Sequence, residues 1–121
     1  RYAVRVQRTP NLARLNRYAS FLTGEKDFTT FSASGDMSKS KVRIIRAASF
    51  YIQGDHIVFM IAADSFLYRM VRSIVGTILY CDENEMEPRA FQDIILARKR
   101  MRAGPTAPAR GLFLDKVVYD E

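Results

Sequence analysis

Apolar residues recur at helical spacing, every three or four positions, near the start of the chain. Pro10 suits the first turn of a helix, where a backbone N–H has no partner anyway, and Gly24 can end the helix. Arg14 and Arg17 lie away from the apolar stripe and are expected on the solvated face. The stripe of this predicted helix consists of Leu12, Leu15, Tyr18, Ala19 and Leu22.

The pattern changes between Asp27 and Lys41, where Ser and Thr are frequent and a glycine, Gly35, lies among them. This composition predicts an irregular loop rather than a helix or a strand. Phe28 and Phe31 are the large aromatic residues of the segment, and we expect them to anchor the loop to the core.

Two runs rich in β-branched and aromatic residues follow the loop, from Val42 to Tyr51 and from His56 to Ala63. They flank Gln53-Gly54-Asp55, and glycine tolerates the positive φ that tight turns require. The two runs are therefore predicted to form an antiparallel hairpin.

Two further helices are predicted in the second half of the chain. Asp64 or Ser65 can cap the first, which runs to about Tyr80. Pro88 suits the first turn of the second, which runs to about Met101 and carries basic residues that favour the helix dipole. The apolar stripe of the first helix consists of Leu67, Val71, Ile74, Val75 and Ile78.

Glycines and prolines interrupt regular structure between Gly104 and Gly111, and the apolar residues from Leu112 to Tyr119 predict a final strand. The predicted order is helix, strand, strand, helix, helix, strand. This order predicts an α+β fold in which helices pack on one face of an antiparallel sheet. With 121 residues, 48% of them hydrophobic, residues 1–121 suit a single domain.

The charge balance changes this picture, because 19 Lys and Arg against 13 Asp and Glu leave a net charge of +6. The basic residues crowd into stretches 1–17, 39–46, 69–72 and 98–110, whereas acidic residues concentrate at 82–87. One basic face would favour a polyanionic partner such as a nucleic acid. Charge by itself leaves open the alternative that the surface is merely well solvated.

The residue types exclude several kinds of chemistry. One histidine and one cysteine cannot supply a metal cage, and no glycine-rich phosphate loop precedes a helix, so no metal site is expected. His56 is expected on the hairpin surface without a role, and Cys81 is expected to be an inert thiol. The chain has no secretion signal and no run of about 18 apolar residues, so a cytoplasmic protein without a membrane partner is expected.

Arg69 and Arg72 stand inside the predicted helix that begins near Asp64. At about 100° per residue, Arg72 falls beside the apolar stripe, whereas Arg69 turns to the opposite face. A half-buried guanidinium needs an acid or a phosphate, because burying it unpaired costs several kcal/mol. No acid lies one helical turn from Arg72. Its partner is therefore either an acid elsewhere in this domain or a group from outside it.

Three segments, in order along the chain, resemble the signatures of the TruA-type tRNA pseudouridine synthases. They are Gly24-Glu-Lys-Asp-Phe-Thr-Thr-Phe31, Phe66-Leu-Tyr-Arg-Met-Val-Arg-Ser-Ile-Val-Gly-Thr77 and Ala103-Gly-Pro-Thr-Ala-Pro-Ala-Arg-Gly-Leu-Phe-Leu114. The pattern departs from the family at Lys26, where His or Asn is usual, and at Lys41, where Pro is usual. The resemblance identifies the chain as the carboxy-terminal half of such an enzyme.

The resemblance implies a cofactor-free isomerisation, in which uracil is detached from ribose at N1, turned and rejoined through C5. In the family, an aspartate of an Arg-Thr-Asp motif in the other half starts the reaction, and the arginine that Arg72 matches pairs with it. No Arg-Thr-Asp segment occurs in these 121 residues. We therefore expect this chain alone to be inactive.

The resemblance also implies a homodimer that binds the anticodon stem-loop of tRNA. Phe66 and Leu112 are expected to contact the uridine, although the alternative that Phe66 belongs to the core is favoured for a residue of this type. The candidate phosphate contacts are Lys39, Lys41, Arg43 and Arg69. Two alternatives remain open: a stand-alone RNA-binding module without catalysis, and a purely structural dimerisation domain.

Overall fold

The computed structural model describes the backbone of residues 2–6, 11–54, 56–104 and 112–116, and the side chains of residues 11–54 and 57–104. The regular elements, in chain order, are strand β1 (Tyr2–Val6), helix α1 (Leu12–Ala19), strands β2 (Gly24–Asp27), β3 (Val42–Gln53) and β4 (His56–Ala63), helices α2 (Met70–Glu83) and α3 (Pro88–Ala97), and strand β5 (Leu112–Lys116). Two short 3-10 turns lie at Thr29–Phe31 and Arg100–Arg102.

The strands form one five-stranded sheet in the order β2-β3-β4-β1-β5, and each neighbouring pair is antiparallel. The predicted hairpin is confirmed as β3 and β4, with Phe50 opposite Phe59. Strands β1 and β2 were not predicted. The β2 sequence, Gly-Glu-Lys-Asp, has low strand propensity, and it is extended because its backbone pairs with residues 42–45 of β3.

Helix α1 starts slightly later than its proline suggests, because Asn11 caps it and its Oδ1 accepts the N–H of Arg14 at 3.0 Å. Pro10 lies outside the described residues. The helix also ends earlier than predicted, at Ala19. Gly24 does not end it, but has a φ of 110° and opens strand β2.

All three helices contribute to one core with the inward side chains of β3 and β4, which confirms the α+β fold. The anchoring role predicted for Phe28 and Phe31 is also confirmed, since both are fully buried. The ring of Phe91 on α3 lies 5.9 Å from that of Phe31 and 6.0 Å from that of Tyr18, so aromatic contacts join the loop, α1 and α3.

The prediction that Asp64 or Ser65 caps helix α2 is wrong, because the helix begins at Met70. Two long-range contacts hold the intervening residues outside the helix. The Asp64 carboxylate forms an ion pair with Arg46 on β3, and the backbone N–H of Tyr68 donates to the Asp36 carboxylate at 2.7 Å. Residues 64–69 therefore form a bend, an irregular stretch and a turn.

Helix α3 begins at Pro88, as predicted, but ends at Ala97 rather than near Met101. Arg98 has a φ of 56°, in the left-handed region that ends many helices, and its N–H donates to the carbonyl of Ile95.

The expected solvated position is wrong for Arg14. Its Nε donates to Asp82 Oδ1 at 2.8 Å and its Nη2 donates to the Asp82 carbonyl at 2.9 Å, which ties α1 to the end of α2. Arg17, on the same helix, is exposed as predicted. Helical spacing alone could not reveal the Arg14 contact, because its partner is 68 residues away.

Candidate active site

The segment between β4 and α2 surrounds a cavity of about 350 Å³. Leu67 is buried and anchors the segment in the core, whereas Tyr68 is 60% exposed. Phe66 is half-buried and packs against the core, so the structure places it both at the core boundary and at the cavity. The cavity is lined by Phe66, Leu67, Tyr68, Arg69, Met70, Val71 and Arg72.

Arg69 has a left-handed backbone, with φ 59° and ψ 15°, at the N-cap position of α2. This conformation costs a non-glycine residue about 1–2 kcal/mol, so the surrounding contacts must hold it. Its guanidinium carbon lies 5.9 Å from the centre of the Tyr68 ring, a cation–π distance. Arg69 also borders a second cavity, of about 160 Å³, with Phe31 and Ser73.

Arg72 lies in the first turn of α2 and is half-buried, as predicted. Among the residues that the structure describes, no acid forms an ion pair with it and no acceptor binds its guanidinium. Arg69 is exposed, as its predicted place opposite the apolar stripe implies, but its predicted place inside the helix is wrong, because it precedes the helix. Arg69 and Arg72 therefore line the same cavity, Arg69 from the left-handed turn before α2 and Arg72 from the first turn of the helix.

The four candidate phosphate contacts differ in their exposure and in the hydrogen bonds that their cationic groups already donate within the protein. Lys39 and Arg69 are exposed. The Lys41 ammonium donates to Asp36 Oδ1 at 2.9 Å and to the Ser38 carbonyl at 2.8 Å. The Arg43 guanidinium likewise donates to the carbonyls of Ser40 and Val42, at 2.9 and 2.7 Å.

Leu112 begins strand β5, and its backbone pairs with Val6 of β1. Its side chain and that of His56 lie outside the described residues, so their predicted places remain predictions. The segment from 105 to 111 is also outside them. The residue just before that segment is held against α2, because the Gly104 N–H donates to Thr77 Oγ1 at 2.9 Å.

Asp36 is the residue of this region that the sequence patterns did not reveal. Its side chain is only 2% exposed. Besides the N–H of Tyr68 and the ammonium of Lys41, its carboxylate accepts the N–H of Ser38 at 2.7 Å. These hydrogen bonds, that of Lys41 first, hold the pKa of Asp36 well below its usual range. The turn around Ser38 was predictable from Asp36-Met-Ser38, but the contact with Tyr68 was not.

Within the described part of the chain, no group of three or more His, Cys, Asp or Glu residues is placed to hold a metal ion. Cys81 is fully buried, and burial raises the pKa of its thiol to about 11. None of the described helices is both long and apolar enough to cross a membrane.

Comparison of the sequence with known proteins shows which protein family the chain resembles. Residues 19–120 match the family described as tRNA pseudouridine synthase. The chain is 49% identical over 120 residues to tRNA pseudouridine synthase A of Treponema denticola, covering 99% of this chain and 45% of that protein. It is 45% identical over 115 residues to the enzyme of the same name from Borreliella afzelii, covering 95% of this chain and 47% of that protein.

The chain therefore belongs to the tRNA pseudouridine synthase family. The resemblance to the TruA type is confirmed, since both relatives carry the name tRNA pseudouridine synthase A. The chain spans about half the length of the curated relatives it matches.

Proposed function

We propose that residues 1–121 form one domain of an enzyme that isomerises uridine to pseudouridine in the anticodon stem-loop of tRNA. In this proposal, Arg72 pairs with the catalytic aspartate, and that aspartate comes from outside these 121 residues. The chain by itself is then inactive, because it holds only one side of the site.

The observation that carries the proposal is the state of Arg72. A half-buried guanidinium without an acid or acceptor among the described residues is costly to leave unpaired. An aspartate placed across the cavity would relieve that cost. In return, the guanidinium would orient the carboxylate and keep it ionised, as its role in the reaction requires.

The cavity beside Arg72 is the proposed uridine pocket. Phe66 lines it and offers an aromatic surface to a base, and Leu112 is proposed to contact the same base. Exposed Lys39 and Arg69 are the proposed phosphate contacts with the fewest competing bonds. Lys41 and Arg43 already donate hydrogen bonds to neighbouring residues, and a phosphate would have to compete with these. Binding through such contacts should weaken as salt rises.

The rest of the proposal follows the family resemblance. The enzyme acts in the cytoplasm as a homodimer and uses no cofactor, because the isomerisation needs neither a redox step nor a metal. The dimer is testable by sedimentation of the full-length native polypeptide at micromolar concentration; a monomer at that concentration would contradict it.

The deciding experiment compares Arg72→Ala and Arg72→Lys with Arg89→Ala in the full-length native polypeptide. Arg89 is exposed on α3, so its removal changes net charge equally and leaves the cavity intact. Tritium release from tRNA labelled at C5 of uridine measures the reaction. We expect Arg72→Ala to lower kcat by about 100-fold or more, Arg72→Lys to recover part of it, and Arg89→Ala to behave as wild type.

Two outcomes would count against the proposal. Undiminished pseudouridine formation by Arg72→Ala would remove Arg72 from the reaction. A native polypeptide that binds tRNA tightly but forms no pseudouridine would instead favour the RNA-binding module without catalysis.

A further inference from the structure

The carboxylate of Asp36 is shared between two distant segments of the chain. Its Oδ1 accepts from Lys41 Nζ at 2.9 Å and from the Ser38 N–H at 2.7 Å, both within its own loop. Its Oδ2 accepts from the Tyr68 N–H at 2.7 Å, across 32 positions of sequence. Only 2% of the Asp36 side chain is exposed, so these donors bind the carboxylate in place of most of its water.

The Tyr68 end of this contact lies at the entrance to α2. Arg69, the next residue, has the left-handed backbone, and no side chain caps the helix at this end. The turn is closed locally by the Met70 N–H, which donates to the Leu67 carbonyl at 3.1 Å. The hydrogen bond that Asp36 accepts from Tyr68 therefore joins the loop to the residues that lead into the first turn of α2.

The position of Gly35 also shows that the loop lies close to the turn. A Cβ atom placed on Gly35 would lie 3.8 Å from Cε2 of the Tyr68 ring, which is ordinary van der Waals contact. Thus the Gly35-Asp36 backbone passes beside the Tyr68 ring, and the Asp36 carboxylate binds the same residue by its N–H. The loop therefore lies beside Tyr68, and the Asp36 carboxylate supplies the hydrogen bond between them.

We propose that Asp36 is a positioning residue for Arg72: by holding the Tyr68-Arg69 turn, it sets the direction in which the first turn of α2 presents the Arg72 guanidinium to the cavity. Lys41 serves this arrangement by neutralising the buried carboxylate. The inference rests on the function proposed above for Arg72, and it assigns Asp36 and Lys41 to the site's support rather than to RNA contact.

The test replaces Asp36 by Asn in the full-length native polypeptide. Asparagine has nearly the same shape, but whichever way its amide turns, its NH₂ group faces a donor, either the Tyr68 N–H or the Lys41 ammonium. Asp93→Asn is the matched control, because Asp93 is exposed on α3 and belongs neither to the loop nor to the Tyr68-Arg69 turn. Both variants are assayed for kcat and for the KM of tRNA, at a temperature where circular dichroism shows them folded.

We expect Asp36→Asn to lower kcat by about 10- to 100-fold while the KM for tRNA stays within about twofold of wild type. The control should keep both constants. An unchanged kcat would overturn the inference, and so would a raised KM with unchanged kcat, because that would place the loop in RNA binding.

Two other variants, Lys41→Met and Arg72→Ala, test the positioning role of Asp36 separately from the proposed role of Arg72. If Asp36→Asn does not fold, Lys41→Met removes the ammonium but leaves the Tyr68 contact, and a smaller loss of kcat is expected; unchanged kcat in that variant would again overturn the inference. If Arg72→Ala is fully active, the proposed role of Arg72 fails. If Arg72→Ala is inactive and Asp36→Asn is not impaired, only the positioning role fails.

Discussion

Gly104 lies directly against Thr77 on helix α2. The Gly104 N–H donates to Thr77 Oγ1 at 2.9 Å, and that hydroxyl in turn donates to the Ser73 carbonyl at 2.8 Å. Thr77 is fully buried. One hydroxyl thus joins the segment that follows α3 to the helix that carries Arg72.

The backbone of Gly104 approaches α2 more closely than a residue with a Cβ atom ordinarily does. A Cβ atom there would lie 3.0 Å from Cβ of Tyr80 and 3.1 Å from Cα of Thr77, and a backbone atom cannot easily move aside. Gly104→Ala should therefore destabilise the protein by about 1–3 kcal/mol, as overpacking does. Urea unfolding measures the loss. Gly35→Ala is the control, since its Cβ would meet only the Tyr68 ring at 3.8 Å; equal stability of the two variants would contradict this explanation.

The ion pair of Arg14 with Asp82 should stabilise the protein more than an ion pair between two exposed side chains would. Arg14→Ala would leave the Asp82 carboxylate, 7% exposed, without its charged partner. We expect a clearly lower Tm, whereas Arg17→Ala on the same helix should change the Tm little. Differential scanning calorimetry of both variants checks this; matching Tm values would show that water replaces the guanidinium.

Stability at alkaline pH should report on Tyr18. Burial raises the pKa of Tyr18 to about 12, and its hydroxyl donates to the Met86 carbonyl at 2.6 Å. An unfolded tyrosine ionises near pH 10, about two units lower, so the folded state favours the neutral form. This contribution is complete below about pH 10 and is lost as pH rises through about 12.

Tyr18→Phe should remove that loss, so its stability should fall less steeply than that of wild type over this pH range. Cys81, with its pKa raised to about 11, adds a decline in both proteins. Only the difference between them therefore reports on Tyr18. Tyr80→Phe, at a residue that is 43% exposed, is the control for removing a tyrosine hydroxyl elsewhere in the protein. If the stability of wild type and of Tyr18→Phe fell equally with rising pH, the loss could not be attributed to Tyr18.

Local patterns predicted the hairpin of β3 and β4, the start of α3 at Pro88 and the burial of Phe28 and Phe31. Each depends on a few neighbouring residues, whose spacing is the physical cause of the structure. Strand β2 could not be predicted in this way, because Gly-Glu-Lys-Asp becomes a strand only beside β3. The half-buried position of Arg72 was predicted for a sound reason, namely that helical spacing places it beside an apolar stripe.

The start of α2 is a place where local patterns mislead. Helical periodicity continues back toward Asp64, and a carboxylate there is a good local cap. Arg46 and Asp36, distant in sequence, instead bind Asp64 and the Tyr68 N–H. Arg69 consequently enters a left-handed turn that no local preference favours.

The sequence by itself determined the α+β composition, the aromatic anchors, the family and the arginine on which the proposed function depends. Only the tertiary structure decided which donors are free, as at Lys39, and which are already used, as at Lys41 and Arg14. The physical reason is that spacing along the chain sets which face a side chain occupies, whereas its partner is set by segments that meet only when the sheet and helices pack.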